Sequence, residues 1–176
     1  SLDISMDEVV VGEGIDGLMS VLVRLFIAPG DVVITSLGAY PTFNYHVAGF
    51  GGELRFVPYR DDRNDLADLV EAVRASNARM VYLCNPDNPM GSYWPAADVE
   101  AFIAALPQTC LIVLDEAYGE TAPEGVLPPL DVNRPNVLRL RTFSKAYGLA
   151  GLRCGYAIGH SRLIRAFNRV RNHFGV

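Results

Sequence analysis

Short apolar runs of strand length alternate along this chain with stretches whose apolar positions repeat at helical spacing. Glu8 to Val11 is a first strand candidate. Leu18, Val21, Leu22, Leu25 and Phe26 then follow the i, i+3, i+4 pattern of a helix buried on one face, which Pro29-Gly30 ends. A strand over Asp31 to Thr35, a helix from about Pro41 and a strand over Leu54 to Val57 come next. Leu66, Leu69, Val70 and Val73 mark a third helix, with Asn64 or Asp65 as its cap. Met80 to Cys84 and Leu111 to Leu114 are continuous apolar runs, the pattern of strands covered on both faces. Between them Pro95 opens a helix carrying Val99, Phe102, Ile103 and Leu106. Strands over Val137 to Leu140 and Tyr156 to Ile158 follow. Ser161 is the expected cap of a last helix with Leu163, Ile164, Phe167 and Val170 that runs on to Phe174-Gly175-Val176. This alternation predicts βαβ units, hence an α/β fold with a mostly parallel sheet flanked by helices.

Composition narrows the class. The 176 residues amount to one domain on a prior of roughly 150 residues each, with no repeat, linker or low-complexity segment. Half are apolar and a fifth charged, which excludes a disordered chain. The net charge of −5, without clustered basic residues, argues against a nucleic-acid partner. Cys84, Cys110 and Cys154 contain no CxxC pair and read as core hydrophobes in a reducing compartment, with no metal site. No apolar run reaches ~18 residues and no signal peptide opens the chain, so a cytoplasmic location without a membrane partner is expected. Ser1-Leu2-Asp3 enters the first strand at once and no packing element follows the last helix. Both ends therefore read as cut from a longer enzyme.

One count bears directly on chemistry. Of the fifteen basic residues, fourteen are Arg and one is Lys, at position 145. An amine can be deprotonated and can condense with a carbonyl, whereas guanidinium stays charged and non-nucleophilic. Gly12-Glu13-Gly14-Ile15-Asp16-Gly17 matches GxGxxG at a strand-to-helix junction, the setting of a dinucleotide fingerprint. The acidic residue needed at the end of the second strand is missing, since Ser36 and Leu37 stand there and Asp31 opens that strand. What survives is an anion site at a glycine-approached helix start. Four polar clusters also follow strands: Tyr40, Cys84 to Gly91, Asp115 to Tyr118, and Thr142 to Lys145. Ligands of open α/β sheets bind beyond the carboxyl ends of the strands, so these groups can meet in one crevice.

Three segments occur in a family order: Asn88-Pro89-Met90-Gly91, Leu114-Asp115-Glu116-Ala117-Tyr118, and Thr142-Phe143-Ser144-Lys145 continuing through Arg153-Cys154-Gly155-Tyr156. Together they resemble the class I/II aminotransferases of the fold-type-I superfamily, which use pyridoxal phosphate (PLP), and within them the histidinol-phosphate aminotransferases. The resemblance implies that Lys145 carries PLP as a Schiff base and acts as general acid/base. It implies that Asp115 pairs with the ring nitrogen, that Tyr118 and Asn88 donate to the ring oxygen, and that Tyr40 lies on the ring face. Arg153 would clamp the phosphate, helped by Ser144, Thr142 and the amides of Gly14, Ile15 and Asp16. Asn88-Pro89 is a candidate cis peptide.

The resemblance also implies that residues 1–176 are the PLP-binding large domain alone, without the family's N-terminal segment and C-terminal small domain, and that the parent is a homodimer. Met90 stands where the family often has Thr, and Gly17 where an acidic residue is frequent. Arg162, Arg165, Arg169 and Arg171 are expected on a solvated face of the last helix. The implied reaction moves an amino group between a histidinol-phosphate-like or aromatic amino acid and a 2-oxo acid. The alternatives are a decarboxylase or lyase of the same fold, a non-catalytic PLP-binding fragment, and the dinucleotide enzyme.

Overall fold

The computed structural model describes residues 4–172. The expected continuation to Phe174-Gly175-Val176 and the entry at Ser1-Leu2-Asp3 lie outside the described residues. Seven strands form one sheet: β1 (Val9–Glu13), β2 (Val32–Ser36), β3 (Glu53–Val57), β4 (Met80–Cys84), β5 (Leu111–Asp115), β6 (Val137–Thr142) and β7 (Cys154–Gly159), in the order β1-β7-β6-β5-β4-β2-β3. Only β7 opposes its neighbours; the other pairings are parallel, which bears out the mostly parallel sheet. The helices are α1 (Gly14–Phe26), α2 (Thr42–Gly49), α3 (Leu66–Ser76), α4 (Ala96–Ala105) and α5 (Ser161–Val170).

Strand parity sorts the core into two layers. Met80, Tyr82 and Cys84 of β4, with Leu111 and Val113 of β5, pack under α1, α2 and α5. Val81 and Leu83, with Ile112 and Leu114, pack on the opposite face against α3 and α4. A sheet covered on both sides explains why β4 and β5 read as unbroken apolar runs.

Two caps separate expectation from outcome. Asp65 caps α3, accepting from the Asp68 amide at 3.1 Å. At α5 the cap is His160, whose Nδ1 accepts from the Arg162 amide at 3.2 Å, and Ser161 is already helical. That helix closes at Val170. Arg162, Arg165 and Arg169 are exposed on it as expected, whereas Arg171 lies beyond its end and donates to the Val11 carbonyl at 3.3 Å. Cys84 and Cys110 are buried, while Cys154 is half-buried at the start of β7; all three are free. Among the described residues no helix is long and apolar enough to cross a membrane.

One ion cluster is largely buried in the fold. Glu116, 2% exposed, accepts from Arg139 Nε at 2.9 Å and from Arg141 Nε at 2.9 Å. Arg139, also buried, donates to Glu116 through Nη2 as well, and to the Pro129 and Pro128 carbonyls through Nη1 and Nη2. The cluster stitches the end of β5 to β6 and to the segment before it.

Candidate active site

The carboxyl ends of β1, β2, β4, β5 and β6 lie on one side of the sheet, joined there by the amino end of the reversed β7. Asp115 is the last residue of β5 and shares the α1/α2 face with Tyr82 and Cys84. It is 5% exposed. Its Oδ1 accepts from the Ala117 amide at 2.9 Å and its Oδ2 from the Tyr82 hydroxyl at 2.6 Å. Burial pushes the carboxyl above the ordinary aspartate range, and those two hydrogen bonds pull it part of the way back.

That balance has a consequence for stability. A carboxyl raised in the folded state favours folding below its unfolded value, and that advantage disappears as pH rises through the folded value. Asp115→Asn is therefore expected to make the cofactor-free protein more stable than wild type at neutral pH, with the gap closing in acid. Urea unfolding at neutral pH and near pH ~4 checks both arms.

Lys145 follows β6 on a loop built by Thr142 and Ser144. The Thr142 hydroxyl accepts from the Ser144 amide at 3.1 Å and contacts its hydroxyl at 2.9 Å. The Lys145 ammonium stands 5.3 Å from the centre of the Tyr118 ring. Asn88 Nδ2 donates to the Tyr118 hydroxyl at 3.4 Å, and the Asn88 carbonyl accepts from the Tyr40 amide at 3.0 Å. Asn88-Pro89 is cis, as is Asn85-Pro86.

The glycine-rich turn closes the other side. Gly14, at φ +71°, is the first residue of α1, and no side chain caps that helix start. A Cβ on Gly14 would fall 2.7 Å from Arg153 Nη2, and one on Gly155 would fall 2.9 Å from the Ile15 nitrogen. Both positions lack a side chain because β7, the α1 start and Arg153 converge there. Arg153 itself holds φ +52°, at a backbone cost of about 1–2 kcal/mol.

All the residues nominated from sequence except Gly14 line a single cavity of about 330 Å³, and Gly14 sits directly behind Arg153. Lys145 and Asp115 thus open to one space. The dinucleotide alternative has no carboxylate where a ribose would need one. Ser36 at the end of β2 donates to Asn64, and Asp31 accepts from the Ala28 amide at the opposite end.

The family model for aminotransferase class I and II matches residues 1–176. The chain belongs to this family. It is 40% identical over 179 aligned positions to histidinol-phosphate aminotransferase 2 of Carboxydothermus hydrogenoformans, covering 98% of this chain and 49% of that protein. Against histidinol-phosphate aminotransferase 2 of Bacillus cereus the identity is 38%, covering 99% and 48%. The solved histidinol-phosphate aminotransferase of Sinorhizobium meliloti in complex with pyridoxal-5'-phosphate is 59% identical, with a TM-score of 0.98 over 99% of this chain and 48% of that one. The chain spans about half the length of the relatives it matches.

Within this aminotransferase chain, sequence reasoning assigns no role to five residues that line the cavity: Met19, Thr42, Cys84, Ala117 and Ala150. Met19 lies one helical turn beyond Ile15, so helical spacing alone could have added it. It also missed His46, whose Nε2 pairs with Asp16 Oδ1 at 2.8 Å across α1 and α2. Tyr82 was hidden inside an apolar run, although a buried phenol must find a partner and so carries a polar signal.

Proposed function

We propose that residues 1–176 form the PLP-binding large domain of a cytoplasmic, homodimeric aminotransferase. Its substrates would be a histidinol-phosphate-like or aromatic amino acid and a 2-oxo acid. The observation that carries this reading is the opening of the Lys145 amine and the buried Asp115 carboxylate into one cavity. When bound, PLP supplies an aldehyde that takes up an amino group and a ring that draws electrons from the neighbouring carbon.

The donor set fits that group. Asp115 is a buried anion with a protein donor on each oxygen, suited to a cationic ring nitrogen. Tyr118 and Asn88 present donors beside it, and Tyr40 offers an aromatic face. Arg153, Ser144, Thr142 and the uncapped α1 start at Gly14, Ile15 and Asp16 provide cationic, hydroxyl and amide donors for a phosphate. Lys145 would hold the cofactor covalently and, when free, carry a proton to and from the substrate carbon. Tyr40, Met90, Tyr147, Leu149 and Leu152, in the segments that follow β2, β4 and β6, are exposed apolar side chains that a second subunit would cover. The substrate class rests on the names of the relatives.

Product analysis with the full-length protein tests the reaction. Amine transferred to a 2-oxo acid is expected; release of CO2 or free ammonia as the main product sinks it in favour of a decarboxylase or lyase. The phosphate cup makes its own prediction. Arg153→Ala and Gly14→Ala are each expected to weaken PLP binding on the order of tenfold to a hundredfold, the equivalent of lost charge-assisted hydrogen bonds. Binding of pyridoxal, which has no phosphate, should change little. Titrating both ligands by fluorescence checks the contrast.

A further inference from the structure

Tyr82 never reaches the cavity, yet its hydroxyl is the shortest polar contact that Asp115 makes. In the β4–β5 register Tyr82 faces Val113 and Cys84 faces Asp115, so Tyr82 sits one pair back from the carboxylate on the same face. The ring is 1% exposed and stacks on Phe43 with centroids 4.5 Å apart and planes 14° from parallel. Held that way, the phenol has one direction in which to donate. Among the described residues no basic side chain forms an ion pair with Asp115. The ionisable groups around it are the Cys84 thiol on β4, Glu116 next in sequence and Lys145 from the loop after β6. Glu116 is already committed to Arg139 and Arg141.

Resting on the PLP reading, we propose that Tyr82 is a positioning residue that keeps Asp115 ionised, so that the shared proton stays on the cofactor's ring nitrogen. A buried carboxylate facing a pyridine nitrogen can take that proton and leave two neutral groups, because burial penalises charge. The Tyr82 hydroxyl, donating to Oδ2, stabilises the ionised carboxylate more than the neutral acid and so tips the proton toward the ring. The Ala117 amide holds the other oxygen and fixes the carboxylate plane. Burial drives the Tyr82 phenol far above its ordinary ionisation, so it remains a donor at every working pH.

The test is nitrogen NMR of ring-labelled PLP bound to the full-length protein. Wild type should show a protonated ring nitrogen. Tyr82→Phe deletes one oxygen and keeps the stack on Phe43, and should move the resonance toward unprotonated pyridine at the same pH. In an Asp115→Asn background the same change should do nothing further, because Tyr82 acts through the carboxylate. In the cofactor-free protein, carboxyl-carbon titration should place the Asp115 midpoint about one to two pH units higher in Tyr82→Phe. A fluorinated tyrosine at position 82, a stronger donor of nearly the same shape, should lower that midpoint, and it serves even if Tyr82→Phe folds poorly. A wild-type ring signal in Tyr82→Phe, with the visible absorption band that PLP is expected to develop on joining Lys145 still present, overturns this inference and leaves the PLP reading standing. Absence of that band in wild type overturns both.

Discussion

Replacing Lys145 by alanine is expected to abolish amino-group transfer and the visible absorption band that PLP develops with the wild-type protein. Lys145 is the chain's one lysine, and the cavity it enters holds no other side-chain amine. Arg153 cannot stand in, since guanidinium neither condenses with an aldehyde nor gives up its proton. Loss of acid/base help alone is worth about 10²–10⁴ in rate, and loss of the nucleophile adds to it. The fold should survive, because Lys145 is exposed and its side chain makes no hydrogen bond or ion pair among the described residues. Asp115 and Arg153 remain in place, so PLP should still bind without the covalent band. Lys145→Arg is expected to be equally inactive, which separates the need for an amine from the need for a charge. A band of wild-type strength in Lys145→Ala would refute the site.

The second large effect falls on stability. Glu116→Ala is expected to destabilise the protein by about 3–5 kcal/mol, because it strands the buried Arg139 guanidinium and removes the carboxylate partner of the half-buried Arg141. Arg139 is 5% exposed, and apart from Glu116 its only acceptors among the described residues are the Pro128 and Pro129 carbonyls. Against a typical domain stability of about 5–15 kcal/mol such a loss threatens folding at 37 °C. Glu116→Gln keeps one acceptor and should cost less. Removing Arg139 together with Glu116 should cost less than the two single losses added, since each single change leaves the other charge unpaired. Chemical denaturation of the four proteins measures this. Additive losses would show that the cluster does not act as a unit.

These two residues also differ in how visible they were beforehand. Lys145 stood out as the one amine in an arginine-rich chain, and its neighbours carried a recognisable order. Glu116 is adjacent to Asp115 in sequence but points into a different environment. Its two arginines come from β6, 23 and 25 residues later. Nothing local marks that pairing. The same division runs through the caps: Asp65 was legible because its partner is three residues away, whereas at α5 a histidine ring took the place that a serine hydroxyl was expected to fill.

Apolar spacing and turn residues were enough to place the seven strands and five helices in order. They were enough because periodicity and punctuation are properties of a few consecutive residues. The residue types of the site were also written along the chain, at the ends of strands where an open sheet exposes them. Only three-dimensional pairing decided the rest. The reversal of β7 carries Arg153 to the glycine start of α1, and the register of β4 on β5 slides a phenol beneath Asp115. Both depend on contacts between distant segments, whose geometry is set by sheet order, burial and close packing rather than by any neighbour in the chain.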